Sequence, residues 1–454
     1  MTFNLDPFDR IVLISMTVLI GLIALVVTLG DHTGVPIRSI SPEDGSTPPM
    51  TAAVQITFGQ QMNTSSVEER FSIQPEVAGS FKWEGNTLTF RPDRPFSPQQ
   101  TYTVTLEAGA QSISGRLTRH TVSWTFTPRT PGVLYLAPAD AAVRGLWLMP
   151  GDSDSPREIY TPEYGVYDFA LSPDGTLIAL SAYDADMATN LWLVGISGRN
   201  ARQIITCAPG LCSEPAWSPD GSLLAYSRQE LTAAGTQGAS RIWLYDLATG
   251  ETSPVFQDTQ ILGFSPAWSP DGRWLALFDA SLGSIRLLDR NSGESTLIPS
   301  QMGEVGSFSP DSQMMAYVDI RRVGQQFYPQ VWLAELDSPA GLRPLVEDAE
   351  EDQSPAWSPD GQWIAFGRRR LDRQGGFASQ LMLYNVVSGE LHQITRDPDY
   401  NNSRFEWDPA GQRILFQRYD LSATPAQAQL WMYNLDTNSL ILAVNNALGG
   451  KWFP

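Results

Sequence analysis

Only three histidines, His32, His120 and His392, occur in the chain, and they fall in three separate stretches. Hydrolytic sites need such groups beside a nucleophile, a metal ligand or a second base at fixed spacing. No His-Glu-x-x-His, Gly-x-Ser-x-Gly or phosphate-cradling Gly-Lys-Ser/Thr loop is present. A carboxylate does recur, as Asp174, Asp220, Asp271, Asp311 and Asp360, each preceded by Pro. A general acid or base could be built from any of them. Repetition in one local setting assigns them instead to turns, where the Asp side chain bonds its own backbone. The sequence predicts that the chain is not an enzyme, with no catalytic residue, no metal and no cofactor.

Binding chemistry is better supplied. Arg321, Arg322, Arg368, Arg369, Arg370 and Arg373 lie in or beside two long connections. Asp348, Glu350, Glu351 and Asp352, with Glu347, form an acidic run leading toward the same region. Guanidinium groups recognise carboxylate or phosphate through paired donors, so the cluster is a candidate patch for a peptide or an anionic ligand. The competing reading is that the two signs neutralise each other and face water. The acidic run follows no EF-hand spacing. Cys207 and Cys212 flank a Pro-Gly turn and are expected to form a loop disulfide, with two free thiols as the alternative.

These residues sit in a tandem repeat. Pro215-Ala-Trp-Ser-Pro-Asp-Gly221 returns as Pro266–Gly272 and Pro355–Gly361, with weaker copies at Leu171–Gly175, Phe308–Ser312 and Trp407–Gly411. A short apolar strand follows each copy, then a third strand often carrying Trp, then a Gly-containing turn and a fourth. Asp-Gly supplies the positive-φ residue of a tight hairpin, and Pro presets the entry. One four-stranded sheet cannot cover both its faces, so the copies must stack round an axis. The repeat resembles that of TolB-type β-propellers over residues 131–454, and the resemblance implies such a propeller.

Six motifs suggest six blades, the count the resemblance implies. The ends indicate seven. Residues 133–160 offer strands without a first strand, and Gly449-Gly-Lys-Trp-Phe-Pro454 is a truncated match to the motif. The C-terminal strand is therefore expected to complete the N-terminal blade, with six blades as the fallback. Connections on one face are uniformly tight, while those on the other are long and varied, so the long-loop face is the candidate binding face.

Ahead of the propeller, residues 1–10 form a tail and residues 11–30 carry no ionisable side chain. Twenty residues at ~1.5 Å rise span ~30 Å, so a transmembrane signal anchor is expected, with a cleaved signal peptide as the alternative. After a linker at 31–35, residues 36–129 alternate with period two in Ala53–Phe58, Thr87–Phe90, Tyr102–Leu106 and Val122–Phe126. That is the size and pattern of a β-sandwich. Ser41-Pro-Glu-Asp-Gly45, Phe90-Arg-Pro92 and Trp124-Thr-Phe-Thr127 resemble the bacterial Ig-like domains of surface-layer proteins, which implies a spacer or adhesion module. Trp83 and Trp124 are read as core, and His120 stands alone.

The fold class is thus all-β: an N-terminal helix, an Ig-like sandwich and a propeller. Of the net charge of −19, the propeller contributes −17, from 21 basic and 38 acidic residues, and the sandwich region 32–130 none, from eight of each. Phosphate-backbone binding needs a basic footprint, so nucleic acid is excluded as a partner. Expected instead is a single-pass protein of the bacterial cell membrane, its folded domains outside the cytoplasm. Its loop face would bind a protein, a peptide or a cell-envelope polymer. The alternative is an envelope-glycan hydrolase or lyase acting from carboxylates in the channel.

Overall fold

A computed structural model describes residues 7–30, 34–153, 155–232, 235–338, 341–371 and 378–454. Residues Pro7–Gly30 form one helix. Among the described residues no helix is long and apolar enough to cross a membrane, so the expected transmembrane anchor at 11–30 is not supported. The chain otherwise divides into two compact units, up to Arg129 and from Thr130 onward.

The first unit is a β-sandwich. One sheet runs in the order Ile37–Ser41, Val54–Phe58, Thr87–Pro92, Gly79–Glu84, and the other pairs Phe71–Gln74 with Tyr102–Leu106 and Val122–Phe126. The alternation seen in the sequence sends Val54, Ile56, Phe58, Leu88, Val104, Trp124 and Phe126 inward, where all are buried. Trp83 stays half-buried, stacks on Phe58 at 6.1 Å and donates its indole N–H to Glu68.

The second unit holds seven four-stranded antiparallel blades among the described residues. Blade 1 is closed by the C-terminus: Leu448–Phe453 pairs with Gly132–Ala137, followed outward by Gly145–Met149 and Arg157–Tyr160. The inner strands of blades 2 to 7 are Val166–Leu171, Leu211–Trp217, Gly263–Trp268, Ser307–Phe308, Glu351–Trp357 and Tyr400–Trp407. Blades 2 and 3 share one parallel bridge, Thr189 to Leu211, and so merge into a single eight-stranded sheet. Separate apolar clusters fill the interfaces between successive blades, and the one joining blade 7 to blade 1 packs Leu415 and Leu430 with Tyr135 and Trp452. A cluster at every joint, the last included, makes the ring complete.

The recurring motif explains both the turn and the joint. Ser172, Ser218, Ser269, Ser309 and Ser358 each donate Oγ–H to the Asp two residues on, at 2.5–2.6 Å. The same serine oxygens accept the backbone N–H that opens the next strand, at 2.9 Å. The repeated Asp is therefore held by its own turn. The Trp of the motif reaches backward: Trp217, Trp268 and Trp407 donate Nε1–H to the carbonyls of Ala170, Ala216 and Ala356 in the preceding blade, each at 3.1 Å.

Candidate functional site

Every inner strand but its shortest carries a register shift just before the motif, for example between Ser213 and Ala216 and between Ser403 and Glu406. At the shift the chain turns left-handed, with φ of 54° at Glu214, 56° at Ser265, 52° at Ser354, 53° at Arg404 and 63° at Gly449. A left-handed bulge residue is unfavourable for any side chain except Gly, and bulges of this kind re-aim side chains at functional sites. In a ring of blades they are aimed at the axis.

The axis is accordingly a polar cavity. Asp168, Glu214, Ser265, Glu304, Glu406 and Lys451 line a space of about 620 Å3. A neighbouring space of about 430 Å3 shares four of them and adds Ser354 and Arg404. A third, of about 240 Å3, lies between blades 5 and 6 and shares Glu304 with both.

The charges in this channel differ in how they are held. Glu214 is fixed by the hydroxyl of Ser227 at 2.6 Å and by the N–H and hydroxyl of Ser265 at 2.7 and 3.0 Å. Lys451 pairs with Glu406 at 2.5 Å, and that carboxylate raises the lysine above its ordinary pKa although burial opposes it. Asp168 accepts only the N–H of Phe169, at 2.7 Å. Glu304 and Arg404 make no hydrogen bond or ion pair among the described residues. Burial pushes the carboxyl of the half-buried Asp168 above the usual range, against the Phe169 N–H and the charges of Lys451 and Arg404, while the exposed Glu304 feels the charge of Arg404. With Asp168, Glu214, Glu304 and Glu406 against Lys451 and Arg404, the lining keeps an excess of negative charge that favours the arrival of a cation.

The loop cluster expected from the sequence is arranged differently. Arg368 is buried, donating from Nε and Nη2 to Asp352 at 2.7 and 3.0 Å and from Nη1 to Asp348 at 2.6 Å. Burial works against its charge, but these two carboxylates outweigh burial and hold its pKa above the ordinary value. Arg369 pairs with Glu351. Arg321 bonds the side chain of Gln330 at 3.3 Å and lies 3.8 Å from Glu347, and Arg322 donates to the carbonyl of Gly324 at 3.0 Å. Glu350 accepts the N–H of Leu371 at 2.7 Å. Arg370 is exposed, and Arg373 lies outside the described residues. Arg321, Arg368 and Arg369 thus meet acids of the run, while the channel residues escaped the sequence reading. The signal for them is the position three residues before each motif aromatic, occupied by Asp168, Glu214, Ser265, Ser354 and Arg404 among apolar neighbours. Cys207 and Cys212 are joined across their turn, Cα to Cα 5.8 Å.

With this geometry in hand, comparison with known proteins is informative. Residues 31–128 match the bacterial Ig-like domain family, and the propeller has a stretch similar to a TolB protein. A stretch of 63 residues is 44% identical to the Tol-Pal system protein TolB of Alcanivorax borkumensis, covering 14% of this chain and 13% of that one. Over 212 residues the chain is 26% identical to the uncharacterized peptidase YuxL of Bacillus subtilis, covering 45% of this chain and 29% of the relative. A prolyl endopeptidase structure shares the fold with a TM-score of 0.50 at 12% identity, over 86% of this chain and 52% of that one. The chain therefore spans well under two thirds of these relatives. The expectation that the chain is not an enzyme is overturned by relatives named as peptidases, YuxL and, at 23% identity over 349 residues, the dipeptidyl-peptidase 5 of Porphyromonas gingivalis. It rested on the lack of familiar motifs, and a propeller repeat is shared by binding proteins and peptidases alike.

Proposed function

We propose that this chain is an envelope-associated binding protein whose propeller takes a peptide segment of a partner protein into the mouth of its channel. The observation that carries this reading is the set of charged side chains gathered at the axis, where Glu214 and Arg404 stand at left-handed bulges and Asp168 and Glu304 form no ion pair among the described residues. A peptide presents amide groups along its length and charges at its ends and side chains, which such a wall can match. The match to a Tol-Pal system protein supports a protein partner in the envelope, and the Ig-like domain supports an extracytoplasmic setting. Attachment to a membrane through the helix Pro7–Gly30, whose side chains from Ile11 to Ala24 are exposed, belongs to the same proposal, and release of the chain by alkaline carbonate would remove it.

The test is titration of the full chain into labelled peptides drawn from envelope proteins of its host. Saturable binding should weaken about tenfold or more when Asp168→Asn and Glu304→Gln are combined. Binding indifferent to both changes would refute the channel site. Peptide hydrolysis is the second reading, carried by the match to the peptidase YuxL. Mass spectrometry of the same peptides after incubation decides between uptake and cleavage.

A further inference from the structure

The cavity of about 240 Å3 between blades 5 and 6 is built differently from the channel it adjoins. Glu304 stands where the two meet, exposed, with no hydrogen bond or ion pair among the described residues, though the charge of Arg404 reaches it. Deeper in the wall lies Ser379, 3% exposed, whose Oγ makes no hydrogen bond. A hydroxyl left unpartnered in the interior is uncommon and costs free energy unless something arrives to bond it. Space for this hydroxyl depends on Gly367, since a Cβ there would stand 2.6 Å from the Ser379 oxygen.

Charge on the wall is one-sided. Glu304, Glu351 and Asp352 against Arg369 leave two negative charges. Counting Arg368 and Asp348, which bond behind Asp352, leaves the same balance. Met302, Val318 and Pro329 supply an apolar side to the same cavity. An alkyl stem ending in a cation satisfies both halves, because lysine and arginine bury their methylenes against apolar surface while the head meets carboxylate and hydroxyl.

We propose that this cavity is a side-chain subsite for a basic residue, lysine or arginine, of the peptide lying in the channel. The inference rests on the peptide reading given above. Glu304 is the counter-charge at the entrance, Ser379 accepts a hydrogen bond from the cationic head, and Met302, Val318 and Pro329 hold the stem.

Agmatine, a free alkylguanidine, tests the subsite alone, and the peptide Ala-Ala-Lys-Ala-Ala against its norleucine counterpart tests it together with the channel. Calorimetry on the full chain should show agmatine binding that falls about tenfold in Glu304→Gln, and the lysine peptide about tenfold tighter than the norleucine one. Ser379→Ala, with melting unchanged, should weaken both agmatine and the lysine peptide. Agmatine binding as tight in Glu304→Gln as in the unaltered chain, or equal affinity for the two peptides, overturns the subsite. Loss of agmatine binding while the norleucine peptide still binds overturns the subsite and leaves the channel reading standing. Agmatine bound while neither peptide binds overturns the channel reading and with it the assignment to a peptide side chain.

Discussion

Glu214 of blade 3 accepts two hydrogen bonds from Ser265 of blade 4, one from the backbone N–H at 2.7 Å and one from the hydroxyl at 3.0 Å. Both residues are left-handed. One carboxylate therefore locks the bulge of its neighbour and fixes the channel wall across a blade boundary. Charge-assisted bonds of this kind contribute about 1.5–3 kcal/mol each when the partner is left stranded. Glu214→Ala should lower the unfolding free energy by about 2 kcal/mol, read by urea titration, whereas Ser265→Gly should cost less because glycine accepts the left-handed backbone. Equal stability of Glu214→Ala and the unaltered chain would mean the lock has no weight.

Closure of the ring hangs on Trp452. Its indole donates to the carbonyl of Glu406 at 3.0 Å, and Arg413 lies 4.7 Å from the ring centre. Truncating a buried aromatic costs about 3–5 kcal/mol, so Trp452→Ala should bring a marked drop in melting temperature. Removal of residues 449–454 should go further and leave the edge of Gly132–Ala137 unpaired. Differential scanning calorimetry showing no change after that removal would contradict closure by the C-terminal strand.

Arg368 offers a contrast between breaking and replacing a buried pair. Arg368→Ala leaves Asp352, 2% exposed, without its partner and should cost about 3–5 kcal/mol. Arg368→Met combined with Asp352→Leu removes both charges and should recover much of the loss. A double-mutant cycle followed by chemical denaturation measures the coupling, and additive losses would speak against the pair.

Acid should loosen the turns. The hydroxyl of Ser218 and the N–H of Ser222 hold the Asp220 carboxyl below its ordinary value of 3.8. A depressed carboxylate adds stability that is full above the unfolded pKa and vanishes as pH falls through the folded one. Melting temperature should thus hold steady above about pH 4 and drop below it. In Asp220→Asn that drop should be shallower, and an unchanged slope would exclude Asp220 from the acid response.

Much of this was legible from residue order because the repeat encodes local hydrogen bonds. Ser-Pro-Asp-Gly specifies its own turn, and the Trp before it is a buried side chain in any stacked arrangement. The truncated motif at Gly449–Pro454 marked the closing strand for the same reason. Channel residues were hidden because they vary: Asp168, Glu214, Ser265 and Arg404 share a position but no chemistry, and only the ring gathers them. The loop arginines read as a patch in one dimension, and the register adds that Arg368 stands opposite Asp352 and Arg369 opposite Glu351 within blade 6. The apolar N-terminal stretch gave its helix but not a span among the described residues.

Blade 5 is joined to its neighbours by other means than indoles. Its motif position holds Phe308, which has no indole, and Trp357, which follows in blade 6, finds no acceptor for Nε1 although its backbone N–H bonds the Ser307 hydroxyl at 3.2 Å. Among the described residues it is the one blade with no indole bond on either flank. A wheel of wedges parts first at the wedge least pinned. Breathing at that seam would widen the very cleft that Glu304 and Ser379 border, so admission of a guest and thermal opening become one motion. Amide exchange along Met314–Val323 should outrun that of Leu223–Leu231 in blade 3 and slow once the cleft is filled.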